Sequence, residues 1–311
     1  MPSSSPHVVL GATGGAGRAV VQELLSRSLP VRAVSRSGGT FPDSVEVVTA
    51  DCTDADDAAR ACRDAAVVYN CLNVPYAQWA DLLPALTANS ITAAAHADAP
   101  LIVTDNLYMY GPSDGPMTED TPRTPGAHKG QIRVDMEETL MTAHDSGRVR
   151  VAIGRASDFY GPNATSVTRD LVFEAALDDK TAAWLGSLDA PHTMSYLPDF
   201  AHGLVTLATH EKAFGEIWHL PSNEPITGRD FIERVYSAAG RAPSMRTYGY
   251  WSLTAAGLFD AQVWEAREVL YQFEKSFVMD TGKFEAAFDS EVTPYDTALP
   301  DTLDWHRAQR S

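Results

Sequence analysis

Three glycines near the start of the chain, Gly11, Gly14 and Gly17, stand between the apolar run HVVL at 7–10 and the helix-like segment AVVQELLSRS at 19–28. Such glycines allow a sharp turn off a strand, close approach of the backbone to a pyrophosphate, and tight packing of helix against sheet. The N-terminus of the helix would offer its N–H groups to phosphates. This arrangement predicts a dinucleotide site. The residues predicted to hold the dinucleotide here are Gly11, Thr13, Gly14, Gly15, Ala16, Gly17 and Arg18.

The end of the second predicted strand, 31–35, indicates which nicotinamide dinucleotide is preferred. An acidic side chain there usually binds the ribose 2′-hydroxyl of NAD, whereas a cation accommodates the 2′-phosphate of NADP. This chain has Arg36 directly after Ser35, and its next acidic residue is Asp43. Arg36 and Arg18 would both make charge-assisted contacts with a 2′-phosphate. We therefore expect NADP(H) to be preferred over NAD(H). The alternative is that both arginines are solvated surface side chains.

Further cofactor contacts are expected after the third and fourth predicted strands. Asp51 and Cys52 follow the strand at 45–49, where they would meet the adenine. Asn70, Cys71 and Leu72 follow the fourth strand and would lie beneath the cofactor.

Short β-branched runs alternate with helix-like segments through the first half of the chain. The runs cover 7–10, 31–35, 45–49, 66–70, 101–104 and 149–154, and the segments include 54–64, 78–97 and 131–146. Strands that are apolar throughout are typical of a parallel sheet covered on both faces. The pattern predicts an α/β fold with a doubly wound parallel sheet of the Rossmann type, whose ligands bind at the carboxyl ends of the strands.

After about residue 155 the alternation weakens, and a helix at 198–210, a strand at 216–220 and a helix near 228–239 follow. We expect a Rossmann domain over 1–155, to which part of 193–222 returns, and a smaller substrate-binding lobe formed mainly by 156–311. The tail of the chain is rich in aromatic residues, which either line a substrate pocket or form core.

The composition excludes several classes of protein. A net charge of −17 argues against nucleic acid and anionic membrane surfaces as partners. Neither an apolar run of membrane-spanning length nor a signal peptide is apparent, and the three cysteines lack metal-ligand spacing. We expect a cytoplasmic protein without a metal site, acting on a small-molecule substrate.

Motifs along nearly the whole chain resemble the extended short-chain dehydrogenase/reductase family, in its NAD-dependent epimerase/dehydratase branch. They are GATGGAG at 11–17, ADCTD at 50–54, Tyr110-Gly111, DFYGP at 158–162, YLPDFAHGL at 196–204 and DTLDWHR at 301–307. The resemblance implies a catalytic Tyr-x-x-x-Lys pair with an upstream Ser or Thr. This chain departs from that pattern. Lys129 stands where the tyrosine would be, Arg133 where the lysine would be, and Asn106 where the serine would be.

The substituted residues suggest a different proton donor. Lys129, Arg133 and Glu137 are spaced four residues apart and share one helix face. Arg133 and Lys129 are then both predicted to contact the cofactor, Arg133 at the ribose or phosphate and Lys129 at the nicotinamide edge. With its pKa lowered beside a second cation, Lys129 can also donate a proton. Asn106 can stabilise an oxyanion. Tyr108 is a second candidate donor and Tyr160 a third. Alternatively, Arg133 and Glu137 form a surface ion pair and Lys129 is solvated.

The predicted function is an NADPH-dependent oxidoreductase that reduces a ketone, aldehyde or conjugated enone of a small apolar or aromatic substrate. The predicted catalytic residues are Asn106, Tyr108 and Lys129. An epimerase or isomerase with tightly held NAD(P), and a non-catalytic NADP-binding redox sensor, remain alternatives. Segments 78–97 and 131–146 would form the bundle of a possible homodimer.

Overall fold

The structure is a computed structural model that describes residues 5–258 and 261–310. Its strands are β1 (His7–Leu10), β2 (Val31–Ser35), β3 (Val45–Thr49), β4 (Val67–Asn70), β5 (Leu101–Asp105), β6 (Val151–Arg155), β7 (Asp158–Tyr160), β8 (Ala182–Leu185), β9 (Pro191–His192), β10 (Met194–Tyr196), β11 (Glu216–His219), β12 (Ile226–Thr227) and β13 (Met245–Tyr248). Its α-helices are α1 (Gly15–Ser26), α2 (Ala55–Ala61), α3 (Trp79–His96), α4 (His128–Asp145), α5 (Glu174–Leu177), α6 (Leu197–Leu207), α7 (Gly228–Ala238), α8 (Tyr250–Gly257), α9 (Ala261–Ala266), α10 (Tyr271–Glu274), α11 (Gly282–Ala287) and α12 (Tyr295–Arg310).

Seven strands form one parallel sheet in the order β11-β6-β5-β4-β1-β2-β3. The strand order reverses direction at β1, which pairs with β2 on one side and β4 on the other. Strands β4 and β6 are buried along their whole length, as expected where helices cover both faces of a sheet. This confirms the predicted Rossmann-type α/β fold.

The predicted elements of the first half match the structure closely. The first three strands have the predicted bounds, and β6 is shifted from 149–154 to Val151–Arg155. That shift places Arg155 at the carboxyl end of β6, next to the end of β5, where Asp105 pairs with it. Helix α4 begins at His128, three residues earlier than its predicted segment.

The chain divides into two compact units. The first, called here the nucleotide-fold unit, comprises Met1–Asn106, Gln131–Arg155 and Ala201–Leu220. The second, called here the lobe unit, comprises Leu107–Gly130, Ala156–Phe200 and Pro221–Ser311. The division differs from the predicted one in that Leu107–Gly130 belongs to the lobe unit, so the chain crosses between the units more often than the predicted boundary near 155 and the return of part of 193–222 imply.

The lobe unit contains its own aromatic core and three two-stranded sheets, β10-β7, β12-β9 and β13-β8. Tyr160 lies at the centre of the core, against the rings of Phe173, Tyr196, Phe231 and Tyr295. Such ring pairs stabilise a core beyond the area that they bury. The lobe unit is therefore held together by aromatic packing rather than by a large sheet.

The aromatic residues of the tail divide between core and surface. Phe273 and Tyr295 are buried in the lobe core, whereas the side chains of Trp251, Tyr250 and Trp264 are exposed, Trp251 to 81%. For Phe273 and Tyr295 the structure bears out the alternative that they form core.

No helix within the described residues is long and apolar enough to cross a membrane. Cys52, Cys62 and Cys71 are all buried and free. Burial raises the pKa of the Cys52 thiol to about 11 and that of the Cys62 and Cys71 thiols to about 12. These thiols are therefore protonated near neutral pH and contribute packing rather than reactivity.

Replacement of Gly17 by alanine tests the close packing of α1. A Cβ atom at Gly17 would lie 2.2 Å from the carbonyl oxygen of Gly11 and 2.7 Å from Cα of Ala12. Because both neighbours are backbone atoms, we expect G17A to lower the free energy of unfolding by about 2–3 kcal/mol, measured by urea denaturation. Gly115→Ala is the matched control, since nothing lies within 4 Å of its Cβ position. Equal stability of the two variants would contradict the packing described here.

Candidate active site

The glycine-rich turn after β1 has the backbone geometry of a phosphate-binding loop. Gly11 has φ +77°, and a Cβ atom there would lie 2.6 Å from the carbonyl oxygen of Cys71. The N–H groups of Gly11 and Ala12 both donate to the carbonyl oxygen of Val34 at 3.0 Å. The turn is thus anchored to β2 and pressed against the end of β4, and only glycine fits at position 11.

The N-terminus of α1 follows this turn and is open to an anion. Gly14 is the N-cap residue, extended at φ −73° and ψ 166° and exposed. No side chain caps the helix, and its first turn, which starts with Gly15 and Ala16, contains no acidic residue. The first N–H groups of a helix lack partners within the helix, and the helix dipole favours negative charge beside them. A pyrophosphate can bind here.

The loop after β2 presents a cation and no carboxylate between Ser35 and Phe41. The Ser35 hydroxyl donates to the carbonyl oxygen of Gly38 at 2.6 Å, and Arg36 is exposed. The Arg18 guanidinium contacts the same loop, with Nη1 donating to the carbonyl oxygen of Thr40 and Cζ 5.3 Å from the centre of the Phe41 ring. Its Nε donates to the carbonyl oxygen of Thr13 at 3.3 Å. Arg18 thus shapes the loop, and Arg36 is the more accessible of the two cations.

Asp51 and Cys52 form a structured turn after β3. Hydrogen bonds from the backbone and side chain of Thr53 lower the pKa of Asp51. The carbonyl oxygen of Cys52 accepts from the Asn89 amide at 2.9 Å, which ties the turn to α3. Asp51 is therefore an exposed, ionised acceptor at the carboxyl edge of the sheet.

Asn70 organises the backbone at the end of β4. Its side-chain oxygen accepts from the N–H of Leu72 at 3.1 Å, and its carbonyl oxygen accepts from the Thr104 hydroxyl at 3.1 Å. Cys71 packs behind Gly11, as described above. The predicted stretch Asn70–Leu72 thus lies beside the glycine-rich turn in the nucleotide-fold unit.

Four buried charges lie at the ends of β5 and β6. Asp105 accepts from Arg155 Nε at 3.0 Å and from Arg133 Nη1 at 3.4 Å. Arg155 also donates to the Glu137 carboxylate. The guanidinium of Arg133 stacks on the Trp79 ring with Cζ 4.3 Å from its centre. Two cations and two anions compensate one another here, as buried charges require.

This network corrects the alternative in which Arg133 and Glu137 form a surface ion pair. Both residues are buried, and Glu137 pairs with Arg155 rather than with Arg133. Arg133 Nε has no hydrogen-bond partner among the described residues. A buried guanidinium with an unused N–H can donate a hydrogen bond to a ligand oxygen.

Lys129 lies in the lobe unit with surroundings that differ from the predicted ones. We expected a second cation beside its ammonium group. Instead, Nζ donates at 2.6 Å to the carboxylates of both Glu265 and Glu268, and the side chain is only 3% exposed. The alternative of a solvated Lys129 is therefore wrong. Lys129 is a buried ammonium held by two carboxylates.

The other predicted donors occupy different environments. Asn106 follows β5 directly and is half-buried, and Tyr108 is buried in the short 3₁₀ helix Tyr108–Tyr110. Tyr160 lies in the aromatic core of the lobe unit, where burial strongly raises its pKa and its hydroxyl accepts from the Asn223 amide at 3.2 Å. Tyr160 is therefore a structural residue and a poor proton donor.

Asp105, Arg155, Glu265 and Glu268 were not predicted as site residues. Asp105 and Arg155 are the last residues of two parallel strands. Because ligands bind at the carboxyl ends of such strands, this position could have identified both as candidate site residues. Glu265 and Glu268 carried no such signal, because they are two among many acidic residues and lie more than 130 positions from Lys129. No group of metal-binding side chains is present among residues 5–258 and 261–310.

Comparison with known proteins adds two sequence relatives. The chain is 32% identical over 154 residues to the uncharacterized protein y4nL of Sinorhizobium fredii, covering 48% of this chain and 43% of that protein. It is 26% identical over 253 residues to 2′-dehydrokanamycin reductase of Streptomyces kanamyceticus, covering 75% of this chain and 66% of that protein. The chain thus spans less than two thirds of the length of either relative.

The fold is similar to that of a solved epimerase. The crystal structure of UDP-glucose 4-epimerase from Thermus thermophilus in complex with NAD has a TM-score of 0.78 at 18% identity, covering 97% of this chain and 99% of that one. At this identity the likeness concerns the fold.

A family model also matches most of the chain. Residues 7–220, from the start of β1 to just after β11, match the model of the NAD dependent epimerase/dehydratase family. The match contains the whole glycine-rich turn and all seven strands of the parallel sheet. The chain therefore belongs to the NAD dependent epimerase/dehydratase family.

Proposed function

We propose that this protein is an NADPH-dependent reductase that transfers a hydride to the carbonyl carbon, or the activated alkene, of a small substrate. The observation that supports the proposal is the burial of the Lys129 side chain, at the position that the register of the Tyr-x-x-x-Lys pattern assigns to the family's tyrosine. In this role Lys129 donates the proton that the substrate oxygen takes up, and Asn106 donates its amide N–H to the developing oxyanion. The cofactor supplies the hydride when it is bound.

The preference for NADPH is supported by charge. Arg36 is exposed at the end of β2, and the loop that it begins has no acidic residue before Asp43. A 2′-phosphate would gain a guanidinium contact there and meet no carboxylate in that loop. Arg133, whose Nε lacks a partner among the described residues, would hold the ribose or phosphate. Asp51, Asn70 and the backbone of the glycine-rich turn would complete the cofactor site.

A substrate without a diphosphate is supported by the arginines of the lobe unit, most of which pair with carboxylates. Arg229 pairs with Asp189 at 3.0 Å and Arg310 with Asp178 at 2.8 Å. Further pairs join Arg169 with Asp170, Arg234 with Asp296, Arg241 with Asp179, and Arg307 with Asp304. These cations are already neutralised, which disfavours a nucleotide sugar. The relative from Streptomyces kanamyceticus, itself named a reductase, supports the same reaction class.

Replacement of Arg36 by alanine tests the choice of cofactor. Loss of a charge-assisted contact costs about 1.5–3 kcal/mol, so we expect R36A to weaken NADPH binding roughly ten- to hundredfold and to leave NADH binding unchanged. Fluorescence titration with NADPH and with NADH measures the two dissociation constants. Arg63→Ala removes another exposed arginine and serves as the control. An equal effect of R36A on the two dinucleotides would contradict the assignment.

Replacement of Lys129 by methionine tests the proton donor. Because a positioned general acid contributes about 10²–10⁴-fold, we expect K129M to lower kcat for carbonyl reduction at least a hundredfold. NADPH binding, measured in parallel, should persist and would show that the variant is folded. Tyr108→Phe is the comparison, and we expect it to retain kcat within tenfold of the wild type. The reverse ranking of the two variants would assign the donor role to Tyr108.

A further inference from the structure

The carboxylates that contact Lys129 belong to residues 265 and 268, in the C-terminal part of the chain. Glu265 belongs to α9, and Glu268 belongs to the 3₁₀ turn Arg267–Val269 that follows it. Besides the two contacts of Nζ, the backbone N–H of Lys129 donates to the Glu268 carboxylate at 3.0 Å. Glu268 therefore contacts both the backbone and the side chain of Lys129, which fixes the start of α4 and the direction of its first lysine.

The three side chains differ in their access to water. The side chain of Lys129 is 3% exposed, whereas those of Glu265 and Glu268 are 34% and 27% exposed. Each carboxylate thus contacts the buried Nζ and also reaches solvent. A reductase consumes one proton in each turnover, so a buried donor must be recharged before the next. Water can therefore reach the carboxylates of Glu265 and Glu268 while Nζ of Lys129 stays buried.

We infer that Glu268 and Glu265 form a proton relay that returns a proton from solvent to Lys129 after each turnover. The inference rests on the proposed reductase function. In the chemical step an N–H bond of Lys129 breaks and the substrate oxygen gains that proton, while bound NADPH would supply the hydride for the new C–H bond and become NADP⁺. Lys129 is left as a neutral amine. A carboxylate then takes a proton from hydronium or a buffer acid in the solvent, leaving water or the buffer base, and passes it to the amine, which restores the ammonium and the carboxylate.

The basicities of the groups favour this direction. A carboxylic acid is a much stronger acid than an alkylammonium ion, so a proton that reaches either glutamate passes readily to a neutral lysine amine. Burial acts to raise the pKa of Glu268, but hydrogen bonds from Lys129 outweigh it and hold that pKa below its usual range. Glu268 is thus a carboxylate at rest and carries the proton only in transit.

Rapid-mixing kinetics of the full chain test the relay in the variants E265Q, E268Q and the double variant. The first turnover uses a proton already present on Lys129, so we expect a burst of about one equivalent of NADPH oxidised at close to the wild-type rate. The following turnovers should slow at least tenfold in the double variant. Formate or acetate should restore them, because a small acid can take over the relay. E268D should be intermediate, and Glu274→Gln, an exposed glutamate at the end of α10, should resemble the wild type.

The other outcomes overturn the relay. Steady-state rates that stay at the wild-type level in the double variant would show that protons reach Lys129 by another route. A first turnover slowed as much as the later ones, with no recovery in formate, would show that the glutamates only support the structure. In both cases, if the wild type is active and the K129M variant is inactive, the proposed reductase function still holds. A wild type that reduces no carbonyl compound would overturn the function and the relay together.

Discussion

The nucleotide-fold unit depends most on the ion pairs that the buried Asp105 carboxylate makes with two arginines. This carboxylate accepts from Arg155 at the end of β6 and from Arg133 on α4, so one buried group ties two strand ends and a helix together. Removing one partner from such a network leaves an uncompensated buried charge and is strongly destabilising. Asn106, one of the candidate catalytic residues, follows Asp105 directly in the chain.

Much of the nucleotide-fold unit could be predicted because its signals are local. The apolar runs gave the strands, and the steric demands at Gly11 and Gly17 agree with the roles assigned to these glycines. The partners of charged side chains could not be predicted in the same way. Arg133 and Glu137 share a helix face, yet Glu137 pairs with Arg155, a residue of another element. Only the packing of α4 against the strand ends decides between these partners.

The partners of Lys129 could not be predicted either, because they lie far from it in the sequence. The resemblance to the Tyr-x-x-x-Lys pattern made Lys129 a candidate, but nothing in the sequence around 129 pointed to Glu265 and Glu268. Their contacts change the chemistry expected of the lysine, because carboxylates replace the cation that we had expected beside it.

The account depends most on the claim that Lys129 replaces the family's tyrosine as proton donor. The direct measurement is the distance from Lys129 Nζ to the carbonyl oxygen of a bound substrate analogue, in a crystal structure of the complex with NADP⁺. The account predicts hydrogen-bond contact, at about 2.6–3.2 Å, with the carbonyl carbon facing the nicotinamide. A carbonyl oxygen bound by Tyr108 or surrounded by apolar side chains, with Lys129 engaged only by its glutamates, would contradict it.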